Sequence, residues 1–162
     1  MAQTTATADT LAAVLKPLTL TKASDLNFGV LLASAGTVAI SPVDGTRTGD
    51  TGTLSTVNSS SPSRASFNVT GLNATTYSIS APAATVTLAN TTSATDTLLV
   101  TLTGVHALSS GTTSSPGAAS SGTLSANGTD TLGVGGSIIL AAVTPIGNYT
   151  NTAGISITVN YN

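Results

Sequence analysis

A chain of 162 residues with six acidic side chains, four basic ones, a single His and no Cys is long enough for one domain with a sizeable core, but it carries few of the groups that catalysis needs. Charged residues are 6% of the total, against about 25% in an average soluble domain; the cations Lys16, Lys22, Arg47 and Arg64 are too dispersed to form a phosphate-binding stripe, so nucleic acid is not an expected partner. No apolar run approaches the roughly 20 residues of a membrane-spanning helix, no disulfide is available, and a formal net charge of −2 leaves little repulsion between copies.

The first residues, Met1-Ala2-Gln3-Thr4-Thr5-Ala6, have neither a basic n-region nor an apolar h-region, which reads as the mature form of a secreted chain. Residues 1–16 are expected to be an N-terminal extension and residues 17–162 a single domain. Within the extension, Asp9–Lys16 suits a short helix capped by Asp9 or a period-two strand, and Pro17 ends it either way.

From Leu18 onward the hydrophobic period is two, the signature of half-buried strands. Thr and Val branch at Cβ and favour a pleated surface. Leu18-Thr19-Leu20-Thr21, Val86-Thr87-Leu88 and Leu99-Val100-Thr101-Leu102-Thr103 alternate in this way. Turn residues separate the runs: Asp44-Gly45, Gly49-Asp50, Thr70-Gly71-Leu72-Asn73 and Asn127-Gly128. Residues 109–122 (SSGTTSSPGAASSG) are expected to be a low-complexity loop, mobile at its tip. Gly133, Gly135 and Gly136, inside an apolar stretch, predict a bulge or a close backbone approach. The last run is the cleanest, with Ile155, Ile157, Val159 and Tyr161 on one face and Ser156, Thr158 and Asn160 on the other. About ten short antiparallel strands make the expected fold all-β, an Ig-like sandwich.

Candidate chemistry is sparse. His106 stands alone, and Ser and Asp are present by composition, so no Ser–His–Asp set is specified; a zinc site would need several His or Cys ligands. Asp44, Asp50, Asp96 and Asp130 lie near turns, where calcium binding competes with the commoner habit of Asp bonding its own backbone. Sequons begin at Asn58, Asn68, Asn73, Asn90, Asn127 and Asn148, a number that chance supplies in a chain so rich in Asn, Ser and Thr. Neither metal nor cofactor is expected, and the chain is not expected to be an enzyme.

An ordered set of short motifs spans nearly the whole chain: Pro17-Leu18-Thr19-Leu20-Thr21-Lys22, Leu26-Asn27-Phe28-Gly29, Gly36-Thr37-Val38 with Ser41-Pro42, Ala65-Ser66-Phe67-Asn68-Val69-Thr70-Gly71, Tyr77-Ser78-Ile79, Leu132-Gly133-Val134-Gly135-Gly136, Gly147-Asn148-Tyr149-Thr150 and Ile155-Ser156-Ile157-Thr158-Val159-Asn160-Tyr161. In these the chain resembles a bacterial secreted family known as a domain of unknown function, which is itself similar to fimbrial subunits. The C-terminal end also looks like that of pilins of the alternative chaperone–usher class and of spore coat protein U-like pilins.

The resemblance implies an incomplete, pilin-type sandwich whose groove takes a strand from the N-terminal extension of a neighbouring copy. The implied partners are further copies of the chain, joined head to tail, with a periplasmic chaperone and an outer-membrane usher. The expected function is a major pilin of an extracellular filament in attachment or biofilm; the alternative is a monomeric secreted surface-binding module (adhesin, glycan- or ice-binding). In one donor register Ala6, Ala8, Thr10, Ala12 and Val14 face the groove; in the other Leu11, Ala13 and Leu15 do, with Asp9. The first avoids burying Asp9 without a partner, and its small side chains imply a shallow groove. Leu18, Leu20, Phe28, Phe67, Val69, Ile155, Ile157, Val159 and Tyr161 are the candidates for core and groove.

Overall fold

The computed structural model describes residues 1–49, 61–152 and 154–162. Twelve strands follow one another in these residues: β1 Thr19–Ser24, β2 Gly36–Ile40, β3 Arg47–Gly49, β4 Ala65–Thr70, β5 Thr76–Ser80, β6 Thr85–Asn90, β7 Thr97–Ala107, β8 Thr112–Ser114, β9 Ser120–Thr123, β10 Thr129–Leu140, β11 Tyr149–Thr150 and β12 Thr158–Tyr161. The fold is all-β, and every described strand pair is antiparallel.

The strands form two sheets of unequal size. The larger runs β1-β4-β10-β7-β6-β11, with β2 and β3 continuing from β10 and β8 added to β7; the smaller is β12-β5-β9. Their inner faces enclose one core in a sandwich-like arrangement, which gathers Val69, Leu132 and Val134 from the large sheet, Tyr77 and Ile79 from the small one, and Ile157 just before β12. The long strands β7 and β10 are the spine, because β10 is shared. Its first half pairs with β4 through Thr129–Val134 and its second half with β2 through Gly136–Leu140, while β7 lies along the opposite side.

The glycine cluster in β10 has the expected cause. The register between β7 and β10 shifts at Gly135/Gly136, and the outward side of Gly133 and Gly135 lies against the backbone at Ile40 and Pro42, leaving no room for a Cβ. Arg64 Nη1 donates to the Pro42 carbonyl at 2.8 Å and also to Val43 O, tying this covering turn down.

One buried polar cluster joins the sheets. The Tyr77 hydroxyl donates to Asp130 Oδ2 at 2.7 Å, and Asp130 Oδ1 accepts from Ser109 N at 2.8 Å and Thr131 N at 2.7 Å. Burial, and then the bond to Asp130, pushes the Tyr77 hydroxyl well above the usual phenol range, so it remains a donor.

The structure differs from the sequence expectations at three places. Residues 109–122 are not a long loop. They hold β8 and β9, because Ser and Thr pair readily once β7 and β5 offer edges, and Gly111 and Gly117 (φ 66° and 75°) make the turns. Residues 9–16 form neither helix nor strand within the chain. The C-terminal run keeps its alternating burial from Ile155 to Tyr161, but its ladder covers only Thr158–Tyr161. Asp50 and Asn58 lie outside the described residues.

Tyr77→Phe removes one donor from a buried carboxylate, so it should lower stability by about 1–3 kcal/mol, read as a shifted urea midpoint with an unchanged slope.

Candidate functional site: an open groove beside the C-terminal strand

The small sheet does not cover all of the large one. Beyond the reach of β12 and β5, a groove of about 920 Å³ opens onto the inner face. Its floor is Phe67 of β4, Val86 and Leu88 of β6, Leu98, Val100 and Leu102 of β7, and Ile138 and Leu140 of β10. One wall is the segment from Ser24 to Ala33, which continues β1; the other is the segment from Thr144 to Ile155, which leads into β12.

The first wall is shaped by the Leu26-Asn27-Phe28-Gly29 motif. Asn27 and Ser63 exchange backbone bonds of 2.8 Å, and Gly29 N donates to Asn27 Oδ1 at 2.9 Å, closing an Asx turn in which Gly29 has φ 75°. This turn sets Phe28 into the core at 7% exposure. Arg47 holds the segment from behind: Nη1 donates to Phe28 O at 2.9 Å and to Val30 O at 3.4 Å. A guanidinium bonded to carbonyls is an interior clamp and is not free to bind a ligand.

The second wall is pinned to β6. Tyr149 and Thr150 pair with Asn90 and Ala89, Thr91 N donates to Asn148 O at 2.8 Å, and Asn151 Nδ2 donates to Thr87 O at 2.8 Å. Asn90, 4% exposed, donates to Ile146 O at 3.3 Å and accepts from Thr92 N at 2.9 Å. A Cβ on Gly147 would lie 2.7 Å from Asn90 Oδ1, which explains the glycine of Gly147-Asn148-Tyr149-Thr150. Asn90 is thus a structural residue with no access for a glycan.

β12 is the terminal strand of its sheet, paired with β5 alone among the described residues. Gly154 and Ile155, in the unpaired run that leads into β12, line the groove. At the far end of β12, the Tyr161 hydroxyl accepts from Leu72 N at 2.7 Å and donates to Lys16 O at 2.9 Å. From that point residues 1–17 are exposed and belong to no strand; Leu11 is 91%, Val14 97% and Leu15 61% exposed.

Phe28, Phe67 and Ile155 line the groove. Val69 and Ile157 lie in the closed core, and Leu18, Leu20, Val159 and Tyr161 pack partly buried against it. Ala6, Ala8, Thr10, Ala12 and Val14 are all exposed. The groove floor is built of Phe, Leu, Ile and Val. Leu26, Leu88, Leu98, Val100 and Ile138 were not among the core and groove candidates from the sequence; alternation can mark a strand residue as inward-facing but does not say that its part of the sheet is left uncovered.

Elsewhere the candidate chemistry resolves into local bonding. His106 Nδ1 is 2.7 Å from Thr113 Oγ1 across β7 and β8. Asp44 closes its own turn, accepting from Thr46 N at 3.0 Å and Thr46 Oγ1 at 2.8 Å; bonds from Ser41 and Thr46 hold its carboxyl down at about 2. No three His, Cys, Asp or Glu residues gather as metal ligands among the described residues.

Arg47→Met removes the clamp on the first wall. Amide hydrogen exchange should then quicken over residues 26–31 and stay slow in β7 and β10, with a stability loss of about 1.5–3 kcal/mol for the charged-donor bonds.

No described helix is long and apolar enough to cross a membrane. No curated protein matches the chain. The model of a family described as a domain of unknown function (DUF4402) matches residues 18–161, a span that begins where the exposed extension ends and closes on Tyr161. The chain belongs to that family of domains of unknown function, DUF4402.

Proposed function

We propose that this protein is a structural, non-catalytic subunit of an extracellular bacterial filament, and that its exposed N-terminal extension adds as a strand in the groove of the next copy. The observation that carries the reading is the coexistence of an apolar groove, lined in part by the residues that lead into the free edge of β12, and an extension that joins no strand among the described residues. An exposed strand edge is a template for another chain, and here the groove opens at Gly154 and Ile155, in the run that leads into that edge. A strand laid along β12 gains main-chain hydrogen bonds and covers apolar floor, at about 0.8 kcal/mol per buried CH₂. Donor and acceptor are different surfaces, so the contact is heterologous and propagates into a fibre. The Ig-like, donor-completed form of the sandwich, a chaperone and usher for assembly, and a role in attachment or biofilm belong to the same proposal.

A second reading, a monomeric surface-binding module, draws on the outer face of the large sheet. Thr97, Leu99, Thr101 and Thr103 of β7 are exposed there beside Thr85 and Thr87 of β6. That face is broad and uncharged, but it offers no account of the groove.

Deleting residues 2–12 should leave a folded monomer that makes no filaments. The full chain should give an SDS-resistant ladder that collapses on boiling. Normal filaments from the truncated chain under the electron microscope would overturn the donor-strand reading, and a full chain that stays monomeric at high concentration would favour the second one.

A further inference from the structure

The groove also discriminates between the two faces of the extension. We infer that the donor strand enters with Leu11, Ala13 and Leu15 on the groove floor and Asp9 at the groove mouth, facing Lys22 of the acceptor. This assignment rests on the strand-donation reading above.

Polarity comes first. β1 runs from Thr19, beside the Tyr161 end of the molecule, toward the groove, and the C-terminal run goes the other way, from Gly154 at the groove through β12 to Tyr161. Every described pairing in the fold is antiparallel, and antiparallel pairing is the more stable ladder. A donor antiparallel to β12 therefore points its N-terminal end toward Tyr161 and its C-terminal end toward Gly154. Lys22 is the lining residue nearest Leu18 along β1, so it sits at the end that receives Asp9. The donor's body then follows from the Gly154 end. Its own extension starts beside its own Tyr161, so successive bodies stack without the chain reversing direction.

Length agrees. From Asp9 to Leu15 a strand spans about 20 Å at roughly 3.4 Å per residue, within the roughly 24 Å that an extended run from Gly154 to Tyr161 covers.

Side-chain size then selects the face. A groove of about 920 Å³ floored by Phe67, Leu98, Val100 and Ile138 suits two Leu side chains better than a row of methyl groups, since unfilled space forfeits dispersion contacts. Leu11 and Leu15 are both exposed in the free extension, so each has apolar surface to bury. The objection to this register is an unpaired Asp9 carboxylate. Lys22 answers it. Lys22 and Asp25 are the charged residues among the lining, the Lys22 side chain is 61% exposed, and its Nζ lies 2.7 Å from Asp25 Oδ1. An ammonium has three donors, so one bond to Asp25 leaves it able to take a second carboxylate at the mouth. The ion pair selects register, and the leucines supply affinity.

Two variants separate the faces: Leu11→Asn with Leu15→Asn, and Ala12→Asn with Val14→Asn. All four positions lie in the exposed extension, so both variants should keep the urea midpoint of the parent. The first should lower the SDS-resistant ladder at least tenfold, and the second should leave it near the parent level. The reverse result would overturn this register while leaving strand donation intact; ladders undiminished in both would overturn register and donation together. The absence of Cys gives a second readout. Under oxidation, Asp9→Cys with Lys22→Cys should yield a covalent ladder that survives boiling, whereas Thr10→Cys with Lys22→Cys should not. A cross-linked ladder only from the Thr10 pair, or only a cyclised monomer from the Asp9 pair, would overturn the assignment.

Discussion

The organising constraint is a mismatch of areas: a sheet of six strands in its main path is faced by one of three. Sandwich cores form when two inner faces cover each other. Here the small sheet covers the half around Tyr77, Leu132 and Val69 and leaves the half around Phe67, Leu98 and Ile138 to two walls that lie outside it. Those walls are not loosely placed. One is clamped by Arg47 and the Asn27 turn, the other by Asn90 and β11, so the gap between them is a built feature of the fold.

The scarcity of charge fits this arrangement. Two of the four cations, Arg47 and Arg64, spend their guanidinium groups on backbone carbonyls. A third, Lys22, stands at the groove mouth. The three buried polar side chains among the described residues, Asn90, His106 and Asp130, are each bonded to neighbours. With few free charges left among the described residues, the surface is defined more by shape and strand edges than by charge.

The strands were legible in the sequence because Thr alternates with Val, Leu and Ile, and the β10 glycines correctly announced a register shift. The loop at residues 109–122 was misread, since composition alone cannot tell a Ser/Thr-rich linker from short strands whose partners, β7 and β5, are distant in sequence. The groove was legible only in outline. Phe28, Phe67 and Ile155 carry a pattern indistinguishable from that of Val69 and Ile157, which are sealed in the core; the difference depends on how far the opposite sheet extends, a long-range property. The volume of the groove was hidden for the same reason.

The Tyr161 hydroxyl, which touches both Leu72 N and Lys16 O, has a mechanical consequence. In a filament joined by the extension, tension on each subunit passes from the donated strand into the body at this point. Pulling along a strand laid beside β12 loads its hydrogen bonds in shear, all together, instead of peeling them one at a time. Tyr161 fastens the extension to the C-terminal strand and to the β4–β5 turn at once, so the force divides between both sheets where it enters.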